Sequence, residues 1–472
     1  MGYEDAAVCK RLSPEVFQFE GLLSIRDKKK YFQFPFEVKK GVTKIIAKLL
    51  YNKEPGNILY LQLHDYRRFR GIGKPIPNQR KNHLEIMLTP FAASNGGIFG
   101  KLPGGRWLAE IDCADIIKLC KYQLIVEVYY EPIAYKGTGA KGIKLKEDIL
   151  CKEKKWYRGD LHIHSIESDG TESVQSIMQR AKQAQLDFIA ITDHNTNSGW
   201  QYIRRSKDLL FLPSIEISTY DGHANAIGVE DWIDWRLGFR NRCIQDIIDD
   251  THKQQGLFII NHPKSIDMKG RISWLIEEVD YRQVDAIEIW NAPWYIKGNV
   301  GNILARALWT ELLNQGYKIA GVAGSDLHTF DHHDKRLGRI LNYVYSEKLS
   351  QNALLRAIKE GRLFLTLGPK LHLCAIYKGK EFMIGDTICQ EDVQTIQFYV
   401  SGEGIAKNTE LRIMKNGNII YTMEIINEDN IDFSFENLIE GDSWYRAELH
   451  HKRKMEEVDS LLAITNPIYI KK

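Results

Sequence analysis

The hydrophobic pattern changes period along the chain. Up to about residue 155, short runs alternate apolar and polar positions. In YFQFPFEV (31–38), Phe32, Phe34, Phe36 and Val38 share one face of an extended segment, and ILYLQLHDY (58–66) and YQLIVEVYYE (122–131) are further strand candidates. Turn-rich stretches such as FRGIGKPIPNQ and SNGGIFGKLPGG separate these runs, and no long amphipathic helix interrupts them. Strand and turn signals return from about residue 370: VQTIQFYV, then LRIMKNGNIIY with Asn416-Gly417 as a hairpin turn, then WYRAELHHK. Both ends therefore predict β-sandwich domains, over residues 1–155 and 369–472.

The middle, residues 156–368, follows another rule. Short apolar strands alternate with helical segments: DLHIH, then Val174, Ile177, Met178 and Ala181 at the i, i+3, i+4, i+7 spacing, then DFIAIT. Repeated β-α units predict an α/β fold with a parallel sheet, either open or closed into a barrel.

At 472 residues the chain exceeds one ordinary domain and suits about three. Sixty-four Lys and Arg against 61 Asp and Glu leave a net charge of +3, so no broad basic field recruits nucleic acid or an anionic membrane surface. The seven cysteines (9, 113, 120, 151, 243, 374 and 389) are odd in number, scattered and without a CxxC pair. That usage argues against a disulfide framework or a Cys-ligated zinc site, and for a reducing compartment. The N-terminal stretch lacks an apolar core of signal-peptide length, and no segment approaches about 18 uninterrupted apolar residues. The expectation is a cytoplasmic protein.

Candidate chemistry concentrates in the middle, which holds nine of the 14 histidines between residues 162 and 333. In GDLHIHSIESDG (159–170), His162 and His164 stand at i and i+2, so a strand projects both imidazoles to one side, and a loop can add Asp169. Other predicted strand ends carry the same residue types. FIAITDHN ends in Asp193 and His194, FLPSIEIS carries Glu216, GLFIINHP ends in His262, and IAGVAGSDLHT ends in Asp326 and His328. In a parallel α/β barrel the carboxyl ends of all strands meet at one rim, so these distant residues converge. The set is too large for one tetrahedral ion and predicts two or three divalent ions, zinc, manganese or iron, with a carboxylate such as Glu216 bridging.

Taken together, DLHIHS (160–165), SDG (168–170), ITDHN (191–195), the Glu of IEIS (215–218), NHP (261–263) and GSDLH (324–328) resemble the PHP family, the polymerase and histidinol phosphatase metal-dependent phosphoesterases. GHANAIG (222–228), IEIWN (287–291), GRLFLTLGP (361–369), GDTI (385–388) and TNPIYI (465–470) are similar to its CehA/McbA-like branch, in which β domains flank the PHP domain. The resemblance implies a distorted (β/α)7 TIM-like barrel. It places His162 and His164 on a first metal, Glu216 bridging to a second, Asp326 completing the first, His262 on the second, and Asp169, His194 and His328 on a third. Some family members carry a His where this chain has Asn225; either His223 substitutes or the second metal has a thinner shell.

The implied activity is metal-dependent hydrolysis of a small phosphate ester. Clustered ions acidify water, supply hydroxide at neutral pH and stabilise charge on a transferring phosphoryl oxygen. Asp326 or His328 would assist proton transfer. Lys264 and Arg336 are the candidate cations for the phosphate, and Asn291 with Trp290 would line the pocket. A carboxyl or carbamate ester hydrolase is the alternative, and a non-catalytic binding module the third reading. A DNA-editing role does not suit a chain with little net charge and no polymerase modules.

Overall fold

The alternating runs fold as strands that each bury one face. In the computed structural model, residues 13–53, 56–73, 83–133, 148–204, 206–265, 273–292, 296–330, 337–389, 394–426, 429–452 and 459–472 are described. Tyr31–Val38, Gly105–Asp115, Ile58–Asp65 and Phe69–Gly73 pair antiparallel in that order. A second antiparallel sheet orders Glu15–Leu23, Cys120–Tyr129, Lys44–Tyr51 and His83–Leu88. Ile45, Ala47, Leu49, Leu124 and Val126 of one sheet share a single buried core with Leu61, Leu63, Trp107, Ala109 and Ile111 of the other. Alternation of side chains across a strand produces this division, since only every second residue faces the core. As the pattern predicts, no α-helix occurs among the described residues 13–133.

The chain divides into two compact units, the first mainly residues 1–142 and the second mainly residues 143–472. In the second, Lys155–Asp160, Phe188–Ile191 and Leu210–Thr219 pair parallel. Gly222–Ile227 runs antiparallel to both its neighbours, Leu210–Thr219 and Leu257–Ile260, after which Leu257–Ile260, Ala286–Asn291 and Ala320–Gly324 are parallel again. The helices Val174–Gln183, Ile244–Lys253 and Ile296–Asn314 fall between strands in sequence. Val174–Gln183 buries Val174, Ile177, Met178 and Ala181, the four residues of its apolar stripe, and Ser173 caps it by accepting the Ser176 N–H.

Beyond the carboxyl ends of the strands the ladder returns to its start. Asp326 N–H donates to His162 O (2.9 Å), His164 N–H donates to Leu327 O (2.9 Å), and Ile163 and Leu327 form a parallel bridge. The segment after the last parallel strand thus lies beside the segment after the first.

On the other side of Lys155–Asp160 the same sheet continues antiparallel through Leu341–Ser346, Leu363–Thr366, Leu461–Thr465, Ser443–His451, Thr409–Lys415 and Asn418–Ile425. Asn416 (φ 50°) and Gly417 (φ 84°) make the predicted hairpin turn, whose two positive φ angles suit Asn-Gly. The motif residue Asn466 locks the C-terminal strands to the central ones: its Oδ1 accepts Gly321 N–H (2.8 Å), and its Nδ2 donates to Gly321 O (2.9 Å) and Leu363 O (3.0 Å). Among the described residues, no helix is long and apolar enough to cross a membrane.

Asp285 ties four elements together. Its carboxylate accepts Phe258 N–H (2.8 Å), lies 2.8 Å from His252 Nε2 on the Ile244–Lys253 helix, and pairs with Lys359 Nζ (2.7 Å) of Gln351–Lys359. Burial opposes its charge, but the bonds from His252, Lys359 and the Phe258 amide outweigh it and hold the pKa below the usual carboxylate value. A depressed folded-state pKa adds stability above the unfolded value of about 3.9, and that stability is lost as pH falls through the folded value. Asp285→Ala, which strands the Phe258 amide, is expected to cost about 1–3 kcal/mol at pH 7 by urea unfolding, with the gap to wild type narrowing in acid.

Candidate metal centre

Strand ends deliver the ligand-type residues to one place because the parallel strands all point the same way. His162 and His164 follow Lys155–Asp160, His194 follows Phe188–Ile191, Glu216 lies near the end of Leu210–Thr219, His262 follows Leu257–Ile260, and Asp326 and His328 follow Ala320–Gly324. Three ligand-type carboxylates and five imidazoles form overlapping groups whose donor atoms lie within 4.8 Å of one another: His162, His164 and Asp326; His162, His262 and Glu288; His194, Glu216 and His223; and His164, Asp169, His194 and His328, which adds a sixth imidazole and a fourth carboxylate.

Glu216 occupies the middle and is fully buried. Its Oε1 lies 3.1 Å from His223 Nδ1, 3.4 Å from His262 Nε2 and 3.4 Å from His162 Nε2. Its Oε2 lies 2.8 Å from His194 Nδ1 and 3.4 Å from His164 Nε2. Asn261 Nδ2 donates to Oε1 as well (2.9 Å). Burial opposes the charge, yet His194, His162 and His223 hold the Glu216 pKa well below the usual carboxylate range.

The second carboxylate, Asp326, lies 3.1 Å from His164 Nε2 and 3.5 Å from His162 Nε2. His162 and His328 hold its pKa well down against the effect of burial. Burial also opposes charge on His162, but Glu288, Glu216 and Asp326 raise that ring well above its ordinary value. His164 is driven the other way, down to about 3, by burial and by His328 and His194 beside it. Its ring stacks on both, with centroids 4.4 Å from His194 and 4.3 Å from His328.

Donor chemistry here suits divalent cations. Nε2 of His162 and Nε2 of His164 face each other at 3.1 Å. His162 Nδ1 lies 3.0 Å from Glu288 Oε1, so in the neutral ring Nδ1 carries the proton and Nε2 a lone pair directed into the cluster. His328 Nδ1 donates to the Asp326 carbonyl (2.8 Å), an atom that only accepts, and its Nε2 is likewise a lone-pair donor. Among the described residues, His262 Nδ1 is buried without a hydrogen-bond partner. Lone pairs gathered around buried carboxylates need a cation between them, and imidazole with carboxylate is a fitting donor set for zinc, iron or manganese.

The backbone is bent to reach this geometry. His262 (φ 27°) and Asp326 (φ 49°) take left-handed conformations that a residue with a Cβ adopts at a cost of about 1–3 kcal/mol each. Both are held by hydrogen bonds from their own amides, His262 N–H to Glu288 Oε2 (2.9 Å) and Asp326 N–H to His162 O (2.9 Å).

Of the residues predicted to hold metals, the cluster gathers His162, His164, Asp169, His194, Glu216, His223, His262, Asp326 and His328. Asn225, cross-strand partner of Glu216, is committed elsewhere: its Oδ1 accepts Asn261 Nδ2 (2.9 Å) and its Nδ2 donates to Leu161 O (3.2 Å). His223 is the imidazole this strand contributes. Asn291 is half-buried and donates to Glu288 Oε2 (3.0 Å), while Trp290 is packed in the core. Lys264 is exposed directly after His262-Pro263, and Arg336, with the neighbouring His332-His333, lies outside the described residues.

Sequence reasoning singled out Asp193 only as a candidate ligand and missed the rest of the supporting shell. Glu288 touches two of the ligand residues, Asn261 holds Glu216, Asp193 accepts both the amide and the hydroxyl of Ser165 (2.8 and 2.6 Å), and Asp160, raised to about 6 by burial, accepts the amides of His162 and Ser325. A signal for Glu288 was present: a carboxylate inside the apolar strand AIEIWN is buried by its neighbours and so requires partners.

Residues 160–256 match the PHP domain family, a stretch that contains His162, His164, Asp169, His194, Glu216 and His223. A phosphoribosyl 1,2-cyclic phosphate 1,2-diphosphodiesterase of Eggerthella lenta is 32% identical over 81 residues, covering 15% of this chain and 31% of that protein. The chain thus spans only about a third of that relative's length. An uncharacterized protein of Methanocaldococcus jannaschii is 26% identical over 176 residues, 34% of this chain and 97% of its own length. Among solved structures, a two-domain protein of Bacteroides vulgatus, described as containing a predicted PHP-like metal-dependent phosphoesterase, aligns with a TM-score of 0.38 and 16% identity, covering 69% of this chain and all of that one.

Divalent ions are expected to stabilise the fold by mass action, about 2.7 kcal/mol at a hundredfold excess over Kd. Protons compete for His162 and His262, whose pKa values are both raised, so the gain in thermal midpoint with Zn²⁺ or Mn²⁺ should grow between pH 6 and 8 and vanish with chelator. A midpoint indifferent to metal at every pH would refute the ligand assignment.

Proposed function

We propose that this protein is a metal-dependent hydrolase that cleaves a small phosphate ester at a centre of two or three divalent ions. The observation that carries the proposal is the buried carboxylate Glu216 ringed by His162, His164, His194, His223 and His262, with Asp326 alongside. The PHP match and the phosphodiesterase named among the relatives support a phosphate ester as substrate. In this reading His162, His164 and Asp326 would hold a first ion, Glu216, His262 and His223 a second with Glu216 shared between the two, and Asp169, His194 and His328 a third. The bound ions would acidify a water and draw charge from a phosphoryl oxygen.

The chain's own residues set direction and proton traffic. The side chains of His328 and Asp326 are 32% and 23% exposed, against 1% or less for His162 and His164, so the cluster opens to solvent on the His328 side. A substrate approaches there, and Asp326 and His328 are the groups placed to move its protons. Exposed Lys264, next to His262-Pro263, is the proposed cation for the outer phosphate oxygens, joined by Arg336. Asn291 is proposed to line the pocket.

We read residues 156–368 as the distorted (β/α)7 barrel, a reading supported by the return of Asp326 and Leu327 to His162 and His164, with β-sandwich domains over 1–155 and 369–472 and a place in the CehA/McbA-like branch. Six free cysteines among the described residues support a reducing, cytoplasmic setting.

The test is turnover of an aryl phosphomonoester, a phosphodiester and a carboxyl ester by metal-loaded protein with and without chelator. Chelator-sensitive phosphate ester cleavage is expected, with His194→Ala and Asp326→Ala lowering it about 10²-fold or more while the far-ultraviolet spectrum stays native. Cleavage of the carboxyl ester alone would transfer the assignment to the carboxyl or carbamate ester hydrolase. Full activity in a folded, metal-free variant would sink the hydrolytic mechanism.

A further inference from the structure

Glu288 is the third residue of the strand Ala286–Asn291 and is 2% exposed. Its two oxygens meet three donors. Oε1 lies 3.0 Å from His162 Nδ1, and Oε2 accepts both His262 N–H (2.9 Å) and Asn291 Nδ2 (3.0 Å). Asn291 is itself bracketed by one residue of the helix Ile296–Asn314: its N–H donates to Asn302 Oδ1 (2.8 Å), and its carbonyl accepts Asn302 Nδ2 (2.8 Å). Space for the carboxylate exists because residue 324 is glycine. A Cβ there would fall 2.0 Å from Glu288 Oε1 and 2.5 Å from His162 Cβ.

From this geometry we infer that Glu288 is a positioning residue of the metal centre, acting on two ligands at once. It orients His162 so that Nε2 faces the ion site, and it pins the left-handed backbone that aims His262. The inference rests on the reading of this pocket as a metal centre. On His162 the argument is one of proton count: a neutral imidazole carries a single N–H, and a carboxylate at Nδ1 draws it there, leaving the Nε2 lone pair toward His164 Nε2 (3.1 Å), Glu216 Oε1 (3.4 Å) and Asp326 Oδ1 (3.5 Å). On His262 the argument is conformational. A φ of 27° persists only where neighbours over-determine it, and the amide bond to Glu288 is such a restraint.

Glu288 also lies within ligand distance of His162 and His262, so a direct metal role must be weighed. The nitrogen it meets on His162 is Nδ1, on the ring edge away from His164 and Asp326. Sharing an ion there would put the neutral ring's lone pair on Nδ1 and its proton on Nε2, which could then no longer serve as a ligand facing His164, Glu216 and Asp326. The positioning role keeps Nε2 as that ligand.

Glutamine is the discriminating substitution, since it keeps shape but cannot accept at both ends. If its oxygen faces His162 Nδ1–H, its amide group confronts two donors, His262 N–H and Asn291 Nδ2. Turned over, it donates to Nδ1 and selects the opposite tautomer. Either way one support is lost, whereas each first-layer ligand remains in the chain.

The experiment titrates Zn²⁺ into the metal-stripped full-length chain by calorimetry, for wild type, Glu288→Gln and Asn291→Ala, and follows the imidazole N–H signals of zinc-loaded, ¹⁵N-histidine-labelled protein. Glu288→Gln is expected to weaken Zn²⁺ binding about 10- to 100-fold at the two sites assigned to His162 and to His262. The His162 Nδ1–H signal should lose its protection from exchange, while the site assigned to Asp169, His194 and His328 keeps its affinity. Asn291→Ala, which removes one of three donors, should weaken the same two sites by a smaller factor. Wild-type affinity and an unchanged Nδ1–H signal in folded Glu288→Gln would overturn the inference. If Glu288→Gln does not fold, wild-type affinity in Asn291→Ala overturns it instead. A wild-type chain that takes up no divalent ion would overturn the metal-centre reading, and this inference with it.

Discussion

A fully buried carboxylate with five imidazoles around it is the constraint that organises the second unit. Removing an ionised group from water costs several kcal/mol even after relaxation. Glu216 is tolerated because His162, His164, His194, His223, His262 and the Asn261 amide stand within about 3.4 Å of its oxygens. None of these partners is near it in sequence except His223, which the antiparallel turn at Thr219–Gly222 folds back beside it. The remaining partners arrive only because three other strands end at the same level.

That arrangement demands sharp departures from regular backbone at the strand ends. His262 and Asp326 take left-handed angles, and Gly324 leaves out a side chain where Glu288 and His162 meet. Strain of this kind survives where the surroundings hold it, and here they do so with hydrogen bonds donated to buried acids: His262 N–H to Glu288, Ser165 N–H to Asp193, and the His162 and Ser325 amides to Asp160. The acids of this outer layer bind mainly N–H and O–H donors of the chain, whereas the inner layer directs its nitrogen lone pairs inward. On the proposed reading, that difference separates positioning residues from metal ligands.

The C-terminal strands belong to the same mechanical unit. Asn466 bonds to both Gly321 and Leu363, and Arg306 of the helix Ile296–Asn314 pairs with Asp459 at 2.7 Å. Arg446 reaches the same helix at Thr310 (3.0 Å), lies over Trp309 and is paired with Glu448 (2.7 Å). The helix so anchored is the one whose Asn302 holds Asn291. These strands thus support a helix that itself touches the supporting shell of the site, which gives the C-terminal region a physical role beyond covering a sheet edge.

Local pattern by itself determined particular elements: the stripe Val174, Ile177, Met178 and Ala181 is buried as its spacing required, and Asn416-Gly417 turns a hairpin because both positions tolerate positive φ. The candidate ligands were legible too, since His, Asp and Glu at the ends of apolar strands have few other reasons to recur. What the chain alone left open were relations between distant residues. That Leu411 and Tyr445 share a core with Leu371 and Phe398 while their strands extend the central sheet follows from pairing register, which no local pattern encodes. Whether His223 or Asn225 reaches Glu216 depended on which amide satisfied Asn225, and Leu161 and Asn261 decided it. Glu288 read locally as one charge in a buried strand; its meeting with His162, 126 positions away in sequence, became visible only when both strand ends came together, because hydrogen bonds act over about 3 Å and chain distance does not limit them.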